Sequence, residues 1–182
     1  MTVITNPIIP GFNPDPSIIR VGEAYYIATS TFEWFPGVCI YKSYDLKNWK
    51  LVSYPLNRKS QLDMLGNPDS GGVYAPCLSH HNGRFYLIFT DVKNVAGRFW
   101  DPNNYIVTTE NIEGEWSEPH SLHSRGIDPS LFHHSDGTKW LVSMEMSHMD
   151  GGRPNLPKWN GIIIQQYDAE EHRLVGECRK IY

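Results

Sequence analysis

The chain has 182 residues, 40% of them hydrophobic and 20% charged, with a net charge of −4 at neutral pH. That length can bury one sizeable core, and the negative balance excludes the basic stripe expected of a nucleic-acid binder. No run of about 18 apolar residues is present, which excludes a membrane-spanning helix.

The first residues, MTVITNPIIPGFNPDPS, carry no basic start, no long apolar stretch and no small-residue cleavage site. They do not read as a signal peptide, and the expectation is a cytoplasmic protein. The cysteines, Cys39, Cys77 and Cys178, are odd in number and form no CxxC pattern for zinc or redox chemistry. Buried free thiols are expected.

Helical periodicity is nearly absent from there on. The apolar runs are short, rich in Val, Ile, Tyr, Phe and Trp, and broken by Gly, Asn, Asp and Pro, which predicts an all-β fold. Three runs align: DPSIIRVGEAYYIATS from Asp15, APCLSHHNGRFYLIFT from Ala75 and DPSLFHHSDGTKWLVSM from Asp128. Each has X-Pro-Ser/Cys-Ile/Leu, a turn containing Gly22, Gly83 or Gly137, then an aromatic-aliphatic strand. That pattern predicts an inner β-hairpin.

A second half-repeat follows each hairpin. YKSYDLKNWKLV (Tyr41 to Val52) and VTTENIEGEWSEP (Val107 to Pro119) share a strand, a polar turn, Leu46 or Ile112, and a tryptophan, Trp49 or Trp116. The third copy, IIIQQYDAEEHRLVG, places Leu174 where the others place Trp. Four-stranded units starting 60 and 53 residues apart predict a β-propeller. The expected blades span about residues 6–60, 70–122 and 126–182. Propellers close with at least four blades, so the chain reads as three blades of an incomplete ring, with the remaining blades absent. Open blade edges invite self-association or a second chain that supplies the missing blades.

The first strand of a propeller blade lines the central axis. Asp15 and Asp128 hold the same position in units one and three, so both carboxylates are expected to face one funnel. The residue before a proline is held extended, which predicts a rigid strand entrance at each Asp-Pro. Unit two has Ala75 there, leaving room for a ligand. Two acids around one cavity suit glycoside hydrolysis, in which one carboxylate activates water. Capping of local backbone amides is the competing role for each Asp.

The segments GFNPDPSIIR, YYIATSTFEWFPGVCIYKSYDLKNW, NPDSGGVYAPCLS, YLIFTDVK and GIDPSLFHH together resemble the N-terminal part of glycoside hydrolase family 43, of the β-xylosidase and α-L-arabinofuranosidase type. The resemblance runs from about Asn6 to Tyr182. It implies a five-bladed propeller that hydrolyses xylo-oligosaccharides or arabinose-substituted chains with inversion. By motif, Asp15 of NPDPS matches the general base, and Asp128 of IDPSLF matches the acid that orients the proton donor and raises its pKa. The resemblance places the proton donor, a glutamate, on a fourth blade beyond Tyr182, so the chain alone is expected to be inactive or very weak.

The same resemblance makes Phe32 an apolar wall for the terminal sugar, and puts Tyr74 and Met146 where xylosidases often carry Trp. Trp34 and Phe35 are expected in the core. His80, His81, His133 and His134 are expected to face solvent in hairpin turns. The polar loop His148–Asn155 and the segment Val95–Asn104, with Arg98, Trp100 and Asp101, are candidate rim elements. No cofactor is expected from these residues. Some relatives hold a calcium ion on the axis, whose usual ligand would lie outside this chain. A non-catalytic carbohydrate-binding propeller is the alternative. A retaining fructan-type hydrolase is disfavoured because the Asn-Asp-Pro-Asn-type signature is missing.

Overall fold

A computed structural model describes residues 3–96, 100–147 and 158–182. Among them are twelve strands: β1 (Ser17–Val21), β2 (Ala24–Thr29), β3 (Cys39–Ser43), β4 (Lys50–Ser53), β5 (Gly72–His81), β6 (Arg84–Val92), β7 (Pro102–Thr109), β8 (His120–Ser121), β9 (Ser130–His133), β10 (Lys139–Ser147), β11 (Lys158–Asp168) and β12 (Arg173–Lys180). They form three four-stranded antiparallel sheets in chain order, β1–β4, β5–β8 and β9–β12. Strand β5 lies beside β1 on one side and β9 on the other. The first strand of each sheet therefore stands next to its counterparts, and later strands lead outward.

Local chemistry explains the hairpins. The β5–β6 turn is Asn82-Gly83 with φ of 50° and 76°, the pair favoured where both turn residues need a left-handed backbone. Gly22 and Gly137 supply positive φ to the other two inner turns. The outer strands are less regular. β8 has only two residues and lies beyond Trp116 rather than around it, because Ser117 returns to Thr108 through its own hydrogen bonds.

The middle sheet is buried on both faces by its period of two. On β6, Phe85, Leu87 and Phe89 enter the seam against the first sheet, with Tyr26, Ala28 and Ile40. Tyr86 and Ile88 enter the seam against the third sheet, with Leu131, Leu141 and Tyr167. Trp116 is 3% exposed in the first seam. Its repeat partner Trp49 is only half-buried and donates to the Leu46 carbonyl (3.1 Å). Leu174 packs against the second seam, as a smaller stand-in for the tryptophan. All three cysteines are free and half-buried, not fully buried.

The second seam is also histidine-rich. His81 of β5 stacks on His133 of β9 with ring centroids 5.0 Å apart, and His120 of β8 stacks on His172 at 4.1 Å. His80, on the opposite face of β5, packs on Phe85 in the first seam. Of the four histidines expected to face solvent, only His134 is exposed. The hairpin ends of the two sheets face each other across the seam, and neutral imidazole is flat and apolar enough to fill it.

Burial, then the charges of His81, Lys139 and His80, push the His133 pKa down to about 4. Burial pushes His123, further along the same seam, down to about 4 as well, and lowers His80 and His120. A folded-state pKa below the unfolded value near 6.5 means that the unfolded chain takes up protons first as pH falls. Stability is thus full above about pH 6.5 and declines toward pH 4. Urea denaturation at stepped pH should show that decline, of order 1–2 kcal/mol for His133 once solvent screening is allowed. His133→Phe, which keeps a flat ring on His81, should flatten the slope in this window; an unchanged slope refutes the assignment.

The first two sheets are tied by a bridge between Phe32 and Val73, with N–H···O bonds of 2.9 and 3.0 Å in the two directions. Gly72 permits it. Its φ is 82°, and a Cβ there would sit 2.3 Å from the Phe32 carbonyl oxygen. Gly72→Ala should therefore force Phe32 away and cost about 1–3 kcal/mol, measured as a lower unfolding midpoint together with a changed near-UV aromatic CD signal. Wild-type values for both would show that Phe32 is not held there.

Candidate active site

Asp15, Ala75 and Asp128 each precede a proline, and each has a left-handed backbone, with φ of 52°, 27° and 56°. The extended conformation expected before proline is absent at all three. Sparsely populated backbone of this kind costs about 1–3 kcal/mol per residue and persists where neighbours over-determine it. At Asp15 the neighbour is Ser30, 1% exposed, whose N–H donates to the Pro14 carbonyl (3.0 Å) and whose Oγ donates to Asp15 Oδ2 (2.7 Å). At Asp128, Met144 N–H holds the preceding Ile127 carbonyl (3.2 Å). Ala75 lies inside β5, where the ladder with β6 shifts register between Tyr74 and Cys77. Such an irregularity re-aims side chains out of the strand's alternation.

The geometry brings most of the expected residues together. The Phe32 and Tyr74 rings lie 4.7 Å apart, and Ala75 follows Tyr74 on the inner strand. The Tyr74 hydroxyl donates to the Ser70 carbonyl. Burial raises the Tyr74 pKa, and the charges of Glu33 and Asp15 add to it, so both carboxylates lie near that ring. Asp128 is open to solvent at its surface. Its walls still desolvate it, and that burial, with the charge of Asp15 second, holds its carboxyl above the usual range. The Asp15 charge therefore reaches Asp128 across a shared space. Among the described residues, Ser30 is the only hydrogen-bond donor to Asp15, and it occupies Oδ2.

Trp34 and Phe35, expected in the core, are 65% and 49% exposed. The cis Phe35-Pro36 bond and the left-handed Phe32 sit in the same loop, which carries both rings over the rim. With Phe12, Pro14, Phe32, Glu33 and Ser70, Trp34 lines a cavity of about 630 Å³ beside the Asp15 loop. Phe12 and Glu33 were not singled out from the sequence. Phe12 lies three residues before Asp15 and packs against Phe32 at 5.8 Å, a proximity that chain spacing alone hinted at. Trp100 reaches Tyr74 edge-on at 6.4 Å. Met146 is fixed at the far side of the third sheet's bulge, its N–H donating to the Arg125 carbonyl (2.8 Å). Arg98 and the loop His148–Asn155 lie outside the described residues.

No cluster of three or more His, Cys, Asp or Glu able to hold a metal ion exists among the described residues.

Several proteins share this architecture. The chain is 59% identical, over its whole length, to the xylosidase/arabinosidase 43B of Humicola insolens, of which it covers 33%. It is 57% identical over 98% of its length to a β-xylosidase of Bacillus subtilis (strain 168), again covering 33%. The crystal structure of a xylan β-1,4-xylosidase from Bacillus halodurans C-125 superposes with a TM-score of 0.94 at 60% identity, covering 99% of this chain and 34% of that one. The chain thus spans about a third of the length of the relatives it matches. The matching solved structures are five-bladed β-propeller enzymes, and the three sheets are part of such a propeller. Residues 4–182 match the glycosyl hydrolases family 43, and the chain belongs to that family.

Proposed function

We propose that this chain is the N-terminal part of a glycosidase that releases terminal pentose, xylose or arabinose, from xylo-oligosaccharides or arabinoxylan with inversion. The observation that carries the reading is the matched, left-handed placement of Asp15 and Asp128, with the Asp15 charge near enough to act on the Asp128 carboxyl. Names of the relatives, which pair xylosidase with arabinosidase, support the substrate class.

In this reading Asp15 is the general base. Ser30 pins Oδ2, and Oδ1 takes a proton from the water that attacks the anomeric carbon. The glycosidic oxygen leaves with a proton from a separate acid. Asp128 faces the same space, and its negative charge disfavours a second one nearby, which keeps a neighbouring carboxylic acid protonated. Phe32, Tyr74 and Ala75 wall the sugar: the two rings offer apolar faces, and the small Ala75 leaves room for the substrate. Tyr74, smaller than a tryptophan and tied to Ser70, leaves a wider pocket that admits an arabinofuranose.

The proton donor of this mechanism lies outside these 182 residues. General acid–base catalysis is worth about 10²–10⁴-fold, so the isolated chain should hydrolyse aryl β-xylosides and aryl α-arabinofuranosides at about 1% or less of the rate of the full-length enzyme. In the full-length enzyme, Asp15→Asn should lower kcat by about 10²–10⁴-fold while sugar binding, followed by titration calorimetry, persists. Unchanged turnover removes Asp15 from the mechanism. Binding of oligosaccharide without turnover by the wild-type full-length protein would mark a carbohydrate-binding propeller instead.

A further inference from the structure

The segment that delivers Asp128, Leu122 to Ile127, runs from the two-residue β8 to β9 without a ladder of its own. Its backbone is held at its start by β7, through Leu122 N–H to the Asn104 carbonyl (2.9 Å) and Asn104 N–H to the His123 carbonyl (3.0 Å), and beyond that by side chains and by β10. Asn104, 1% exposed on β7, donates its amide to the carbonyls of His123 (2.9 Å) and Gly126 (2.7 Å). The Asn104 side-chain oxygen accepts from Thr90 Oγ1 (2.8 Å). Arg125 N–H donates to His123 Nδ1 (3.2 Å), so Nδ1 carries the lone pair and the ring proton sits on Nε2. That nitrogen donates to Ser143 Oγ on β10 (3.1 Å), and Ser143 is 2% exposed. On the other side, Met146 and Met144 N–H groups hold the Arg125 and Ile127 carbonyls. At Gly126 a Cβ would meet the Met144 carbonyl oxygen at 1.9 Å, so the segment is pressed against β10 with no slack.

From this geometry we infer that His123, as the Nε2–H tautomer locked between Arg125 and Ser143, is a positioning residue that sets the placement of Asp128 at the sugar site. Asn104 reaches the segment from the middle sheet, and Met144 and Met146 reach it from the third. Gly126 lies between the sheets through its backbone, and His123 joins them through its side chain, which meets Asn104 and Ser143. A gained proton would sit on Nδ1 and face the Arg125 N–H, opening the latch. Burial, with the Arg125 charge second, keeps the ring neutral down to about pH 4. The charged groups around the ring are Arg125 on its own segment and Glu145 on β10, themselves paired at 2.6 Å; from β7 and the middle sheet it meets only the neutral Asn104.

The inference rests on the reading of Asp128 as the group that raises the pKa of the proton donor. If the latch opens, the Asp128 charge retreats and the donor loses its proton at lower pH. In the full-length enzyme, His123→Leu should lower kcat by about 10- to 100-fold, as expected for a misplacement near 1 Å, with KM within about twofold. The alkaline limb of the kcat profile should move to lower pH. Ser143→Ala, a milder change, should move the limb in the same direction. His123→Asn, whose side-chain oxygen can replace Nδ1 as the acceptor for Arg125 N–H, should recover most of both. Folded His123→Leu and Ser143→Ala enzymes with the wild-type limb would overturn the proposal. If His123→Leu does not fold, Ser143→Ala decides alone. Asp128→Asn separates the two readings. A wild-type limb and kcat in that variant would sink the role of Asp128 itself. A shifted limb there, with none in the latch variants, would leave the role of Asp128 intact and reduce His123 to a structural residue.

Discussion

The site depends on one backbone event repeated three times: a residue ahead of a proline forced into the left-handed region just before an inner strand or within its first few residues. In a regular strand successive side chains alternate between the two faces, so an acid continuing the ladder would be sent into a seam between sheets. The left-handed corner breaks that alternation and turns the side chain out of it. Each corner costs about 1–3 kcal/mol. Fully burying a Leu, Ile or Phe contributes about 1.5–3 kcal/mol, and Leu87, Ile88 and Phe89 on one strand are all at 0% exposure. The middle sheet, clasped on both faces, thus offsets strain stored at the mouths of its neighbours.

The strands, the inner turns and the equivalence of Asp15, Ala75 and Asp128 were legible in the sequence because they are local. Alternation of apolar residues, Asn82-Gly83 and the X-Pro-Ser/Cys signature act over a few residues and leave their mark there. The conformation of the pre-proline residues was not legible, since the local preference is extended and is overruled by Ser30 and Met144, which lie 15 and 16 residues away in sequence. Trp34 and Phe35 misled for a similar reason. Their composition says core, but their exposure is set by the Phe32–Val73 bridge that anchors the loop across to the next sheet. Phe12 and Glu33, brought in from their own loops, belong to the site only through tertiary contact.

The two seams hold the acids by different means. The first is broad and apolar, with Tyr26, Val38, Ile40, Leu56, Phe89 and Trp116 among its residues. The second has a smaller apolar core and adds stacked imidazoles and a buried network around Asn104 and His123. Apolar burial is non-directional and tolerates small sliding. A fully satisfied polar network does not, because displacing it strands buried donors and acceptors.

That difference matters because Asp15 and Asp128 belong to sheets that each pack against the middle one. Their separation is the sum of two interfaces, and any looseness in either appears at the sugar. The first seam fixes Asp15 by bulk, with the Ser30 hydrogen bond setting the carboxylate itself. The second carries Asp128 on a segment outside the named strands, which a few backbone bonds to β7 and β10 and directional side-chain contacts hold in register. A buried neutral histidine suits that task. It is a donor at one nitrogen and an acceptor at the other, and can therefore join the Arg125 backbone on one side to Ser143 on the other, as no apolar residue of similar size can.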